Sequence, residues 1–208
     1  MEPMTQALTK VMTWAAQKGY EKFTLARLER FLSQAEQGGV TVDELTDTEH
    51  RFAHFVSMVR ALESCSNNEM ADYLAALMIG GAQSGNADKK PDIFHAVLNG
   101  LGSMTKTEVN ILFKMHRLEL FEDAQPGGYK EDKVTQLVSE CMSDLGIDEA
   151  LLAAILNGMI RTGFVTPPPS GYGGHVTRNS NLLTQSARDL FFYIDYSRLS
   201  RPGVPGPL

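Results

Sequence analysis

The chain has 208 residues, 43% of them hydrophobic and 21% charged, with a net charge of −6 at neutral pH. That supplies enough apolar mass for one large or two small packed domains, in proportions ordinary for a soluble protein. The negative balance excludes a general attraction to nucleic acid or anionic membrane, so either contact would need a local basic patch.

The N-terminal stretch keeps helical spacing at Met4, Leu8, Val11, Met12 and Ala15, with Gly19 as a stop. It shows an early acid and no apolar core of a leader, so no signal peptide is expected. Thr24 is positioned to cap a second helix bearing Leu25, Leu28, Phe31, Leu32 and Ala35, closed by Gly38 and Gly39. Thr46 and Glu49 have capping-box spacing, in which hydroxyl and carboxylate satisfy each other's orphan amides. The stripe that follows is Phe52, Phe55, Val56, Val59 and Leu62. Ser66 and Glu69 repeat the box ahead of Met70, Leu74, Leu77 and Met78. The run Met70–Gly81 is broken by Asp72 and too short to span a bilayer, so no membrane contact is expected.

The glycine-containing stretch "GGAQSGNADKKP" reads as a flexible boundary. After Pro91, a short helix carries Ile93, Val97, Leu98 and Leu101. A third box, Thr105 with Glu108, opens a helix with Val109, Leu112, Phe113 and Met115. A further helix is predicted over about 132–145, then Gly146, then one opening at Asp148.

From Ile147 to Ile194 the order is more specific. An apolar helix ends at Gly163, Phe164 and Val165 form a β-like run, and a Pro/Gly-rich loop follows. Leu182 and Leu183 return, and Thr184 opens a last helix. This is the order of a winged helix-turn-helix, in which the helix before the wing lies in the major groove. Here Leu151, Leu152, Ile155, Leu156, Met159 and Ile160 cover most of that helix, leaving Ala150, Ala153, Ala154, Asn157 and Arg161 outward. Base edges are read by long polar side chains, and few are offered.

Residues 118–160 hold nine acids against two lysines, and residues 161–208 five arginines against two aspartates. Carboxylates at Glu140, Asp144, Asp148 and Glu149 oppose a polyanion. The wing is the better nucleic-acid candidate, through Arg161, Tyr172, His175, Arg178, Asn179 and Arg188, with Arg198 and Arg201 extending the basic strip.

Enzyme constellations are few. His50 and His54, four apart on a helix, could share a metal, but Arg51 stands where a zinc-protease helix needs its glutamate. Cys65 and Cys141 have acidic neighbours, which disfavour a thiolate, and no metal-type spacing. With no disulfide framework, a cytoplasmic location is expected.

The chain from Ile93 onward resembles the bacterial and phage-associated Abi-alpha family. The residues that carry this are Phe94, Leu98, Leu101, Thr105, Glu108, Ile111 and Leu112, then Gly163-Phe164-Val165, then Leu183-Thr184-Gln185-Ser186-Ala187. The family has glycine where this chain has Ala187. The resemblance implies a helical N-terminal region and a setting in phage–host conflict, with no catalytic residues to carry over.

The expected architecture is mainly α: a helical bundle over 1–85, a winged-helix-like module with a small β-hairpin over 86–196, and a flexible tail over 197–208. The expected function is that of a non-enzymatic regulator or adaptor working by protein–protein contacts, including pairing of two copies, without a cofactor. A wing-based DNA-binding regulator and a metal-dependent enzyme at His50 and His54 are the alternatives.

Overall fold

A computed structural model describes Thr13, Gln17 and residues 22–64, 69–122, 131–167 and 178–199. Among these residues the chain is mainly helical, with one small antiparallel hairpin. The apolar positions of the expected first helix with Gly19, the Ser66 end of the second capping box, Cys65, and residues 200–208 with Arg201 lie outside them. No helix among the described residues is long and apolar enough to cross a membrane.

The chain divides into two units, residues 1–103 with 189–208, and residues 104–188. The expected break at 85/86 therefore falls within the first unit. The last helix gives its first four residues to the second unit and the rest to the first.

In the first unit, α1 (Lys22–Gln37) buries Leu28, Phe31, Leu32 and Ala35. Thr24 is buried inside this helix and is not its cap. Gly39 ends the turn in the left-handed region (φ 76°), where a side chain would be strained. Helix α2 (Glu49–Ser64) buries His54, Phe55, Met58, Val59 and Leu62. The expected box at Thr46 and Glu49 does not form. Thr46 donates its hydroxyl to the Val42 carbonyl, and Thr48 caps instead, accepting from the Arg51 amide at 3.3 Å.

Helix α3 (Glu69–Ser84) buries Met70, Leu74, Leu77 and Met78, as its spacing predicts. It then runs straight through Gly80 and Gly81, the pair read above as a flexible boundary. A Cβ on Gly80 would lie 1.9 Å from the backbone oxygen of Tyr193, and one on Gly81 2.2 Å from the Phe94 ring. Both glycines are absent side chains that let neighbours approach. After the short α4 (Asn86–Lys89), Pro91 opens α5 (Pro91–Gly102), with Phe94, Val97, Leu98 and Leu101 buried. His54 stands beside Phe94 and Ala61 beside Gly102, so α2 and α5 run parallel. Because α5 packs on α2, α3 and α4, it joins the first unit.

The second unit contains α6 (Lys106–Arg117), α7 (Glu131–Leu145) and α8 (Glu149–Met159), the last continuing as a 3₁₀ turn over Ile160–Thr162. Asp148 caps α8, accepting from the Leu151 amide at 2.8 Å. Strand β1 (Val165–Thr166) pairs with β2 (Leu182–Leu183), Val165 opposite Leu183 and Thr166 opposite Leu182. Phe121, between α6 and α7, adds a parallel bridge to Leu183. The final helix α9 (Gln185–Leu199) takes in the first three residues of the expected tail.

Candidate interaction surface of the second unit

The start of α6 fixes much of this surface. Thr105 and Glu108 form the predicted capping box, the Thr105 amide donating to Glu108 Oε2 at 2.7 Å and the Glu108 amide to Thr105 Oγ1 at 3.3 Å. The same carboxylate receives both ends of the Arg161 guanidinium, at 2.7 and 3.0 Å. Arg161 also donates to the Gly158 carbonyl at 2.6 Å. Burial pushes the Glu108 carboxyl up, but hydrogen bonds from Arg161 and Thr105 outweigh it and hold the group below its ordinary value. Arg161, predicted as an outward contact, is thus turned back to tie the end of α8 to the start of α6.

The acids of α7 are answered in the same way. Lys114 of α6 lies 2.5 Å from Asp144 and 3.6 Å from Glu140, and Arg117 also pairs with Glu140. Much of the negative charge expected to repel a polyanion is neutralised within the unit. Cys141, on the same helix, is buried, and burial pushes its thiol up, away from a nucleophilic thiolate.

The other predicted contact residues separate. Tyr172 and His175 lie outside the described residues, as does the side chain of Arg198. Arg178 is exposed. Asn179 is fully buried, its Nδ2 3.4 Å from Glu149 Oε1 and its Oδ1 without a hydrogen bond. Ser180 and Asn181 beside it are buried too. Arg188 lies over the Phe121 ring, 3.9 Å from its centroid, a cation–π contact that consumes the face of the guanidinium. Of the six residues read as one contact strip, the described ones that stay exposed are Arg161, whose guanidinium is held by Glu108, and Arg178.

The bridge at Phe121 was not foreseen. The Leu183 amide donates to the Leu120 carbonyl at 2.7 Å, and the Glu122 amide to the Leu183 carbonyl at 3.0 Å. Its signal was the apolar Leu118, Leu120 and Phe121 just beyond a helix end, all now buried.

What α8 presents outward is apolar and small. Ala150, Ala154, Asn157 and Gly158 are exposed, and Leu151 is 50% exposed. Ala153, expected outward, is buried, while Ile160 beyond the helix is 39% exposed. On α7, Met142 is 53% exposed.

No protein-family model, curated protein or solved structure matches the chain. Most residues that carry the resemblance to Abi-alpha are core positions: Phe94, Leu98, Leu101, Ile111, Leu112, Phe164, Val165, Leu183 and Ala187 are all buried. Thr105 and Glu108 form the cap described above.

No group of three or more histidine, cysteine or acidic side chains able to hold a metal occurs among the described residues. His54 is buried, with Nε2 3.2 Å from the Pro91 carbonyl oxygen.

Proposed function

We propose that this chain is a non-enzymatic adaptor whose second unit, of winged-helix type, contacts another protein through the outward face of α8. The element order supports the winged-helix reading: helix, a single β-bridge residue, two helices, then a hairpin with a long connection. The observation that carries protein contact is the exposed apolar face itself, Leu151 flanked by Ala150, Ala154 and Gly158. In a duplex reader this helix would present arginine, asparagine or glutamine to base edges. Here Asn157 alone is exposed within it, and the arginine at its end is held by Glu108.

A photoreactive amino acid at Ala154 of the full chain, in phage-infected and uninfected bacterial cells, should yield adducts with protein, a second copy being one such outcome. The phage setting follows the Abi-alpha resemblance. The same chain should leave duplex DNA unshifted at low salt. The second reading, DNA binding, is favoured by the exposed Arg178. A duplex shift that weakens steeply with salt and fails in Arg178→Ala would overturn the first reading in favour of it.

A further inference from the structure

The side chain of His54 is almost wholly enclosed, yet half of its hydrogen-bonding capacity is unused. Nε2 faces the Pro91 carbonyl at 3.2 Å, so Nε2 carries the hydrogen and donates it. That makes Nδ1 the bare nitrogen, and it is buried with no partner. The ring packs edge-on against Phe94 (centroids 4.9 Å) and beside His95 (5.7 Å). Apolar Leu45, Met78, Ala82 and Ala87 line the adjoining pocket with it.

A proton on Nδ1 would create a charged donor with nothing to receive it. Most of the surroundings oppose that charge, the Asp88 carboxylate of α4 being the exception. On α2 stand His50 and Arg51, and on α5 His95 and the helix N-terminus at Pro91, whose dipole is positive. Helix α3 contributes only Met78 and Ala82. The anions that could compensate are engaged elsewhere. Asp88 of α4 takes two bonds from Arg51, at 2.8 and 2.5 Å. Glu44, in the loop before α2, takes the Thr41 amide at 2.8 Å and its hydroxyl at 3.0 Å.

We infer that His54 is an acid-sensitive latch of the first unit, holding α2 against α5 while neutral and releasing them when forced to protonate. Burial, chiefly, pulls the His54 pKa below its ordinary value of 6.5, and the neighbouring histidines add to this against the Pro91 hydrogen bond and the Asp88 carboxylate. The sign follows. With the folded value depressed, the unfolded chain takes up the proton first, so stability is full above about pH 6.5 and falls as the pH drops below it, levelling only beneath the depressed folded value.

Histidine NMR on the full chain reads this directly. The His54 ring should show the Nε2–H tautomer and stay neutral at a pH where an exposed histidine is half protonated. The unfolding midpoint of the first unit should drop by roughly 3 °C between pH 7.5 and 5.5. In His54→Gln most of that drop should vanish, whereas His50→Gln should keep it. A His54 ring titrating at the ordinary value, or a variant with the same acid loss as the parent, overturns the latch. If His54→Gln does not fold, the tautomer and titration of the parent still decide.

Discussion

The glycines of the first unit's α3 and the residues around Gly163 in the second unit do opposite work. Gly80 and Gly81 sit inside a continuous helix, where the missing side chain admits the Tyr193 backbone and the Phe94 ring. Gly163 has open space around its Cβ position, and its φ of 75° is what the turn into β1 requires. The one answers to packing from residues 113 and 13 positions away, the other to the local chain path. The same residue type is therefore a boundary marker in one unit and a core contact in the other, and only the first meaning is written in neighbouring residues.

The largest effect should come from testing that contrast. Gly80→Ala, which raises helix propensity, should nevertheless cost the first unit about 3 kcal/mol, because the new methyl meets backbone that cannot step aside. Urea unfolding of the full chain followed by a first-unit probe measures it. A neutral or stabilising result would mean that α3 is a free helix end and that the pair is a boundary after all.

Next comes the Glu108 carboxylate, the second unit's counterpart to His54. Glu108→Ala should cost about 2 kcal/mol, since it strips the cap and leaves Arg161 without its acceptor, although Arg161 is half exposed and partly compensated by water. Its carboxyl is held below the ordinary 4.5, so its contribution is complete above that pH and is lost as the pH falls through the depressed value. On acidification, amide protection relative to the intrinsic exchange rate should therefore fall in the first unit below about pH 6.5 and in the second only below about 4.5. Simultaneous loss of protection would erase the distinction between the two units.

The smallest effect separates two threonines. Thr105→Ala should cost about 1 kcal/mol and Thr48→Ala about 0.5 kcal/mol, because the first sits in a complete, partly buried box and the second offers one long, exposed bond. Thermal unfolding of the pair is the check, and equal losses would contradict the geometry.

These comparisons also locate what could be read ahead of the structure. The box at Thr105 formed as predicted because the Glu108 side chain is pinned a second time by Arg161, which keeps it over the helix start. At Thr46 and Glu49 the spacing is the same, but the Thr46 hydroxyl finds the Val42 carbonyl one turn earlier, and Thr48 takes the cap. In the candidate surface, Arg161, Arg188 and Asn179 were legible as polar groups near a hairpin. Their engagement was not, because Glu108 is 53 residues from Arg161 and Phe121 is 67 from Arg188.

The sequence by itself determined the helical class, most helix faces, the cap at Thr105, the turn at Gly163 and the hairpin return at Leu182 and Leu183. All of these follow from spacing over a few residues, where periodicity and backbone stereochemistry act. Tertiary structure alone decided that Gly80 and Gly81 lie in a helix, that α5 belongs with the first unit, and that Leu120 and Phe121 join the hairpin. It also decided which arginines remain outward and that His54 is sealed on one side. Each depends on a partner remote in the chain, and burial, unlike periodicity, is set by what arrives from elsewhere.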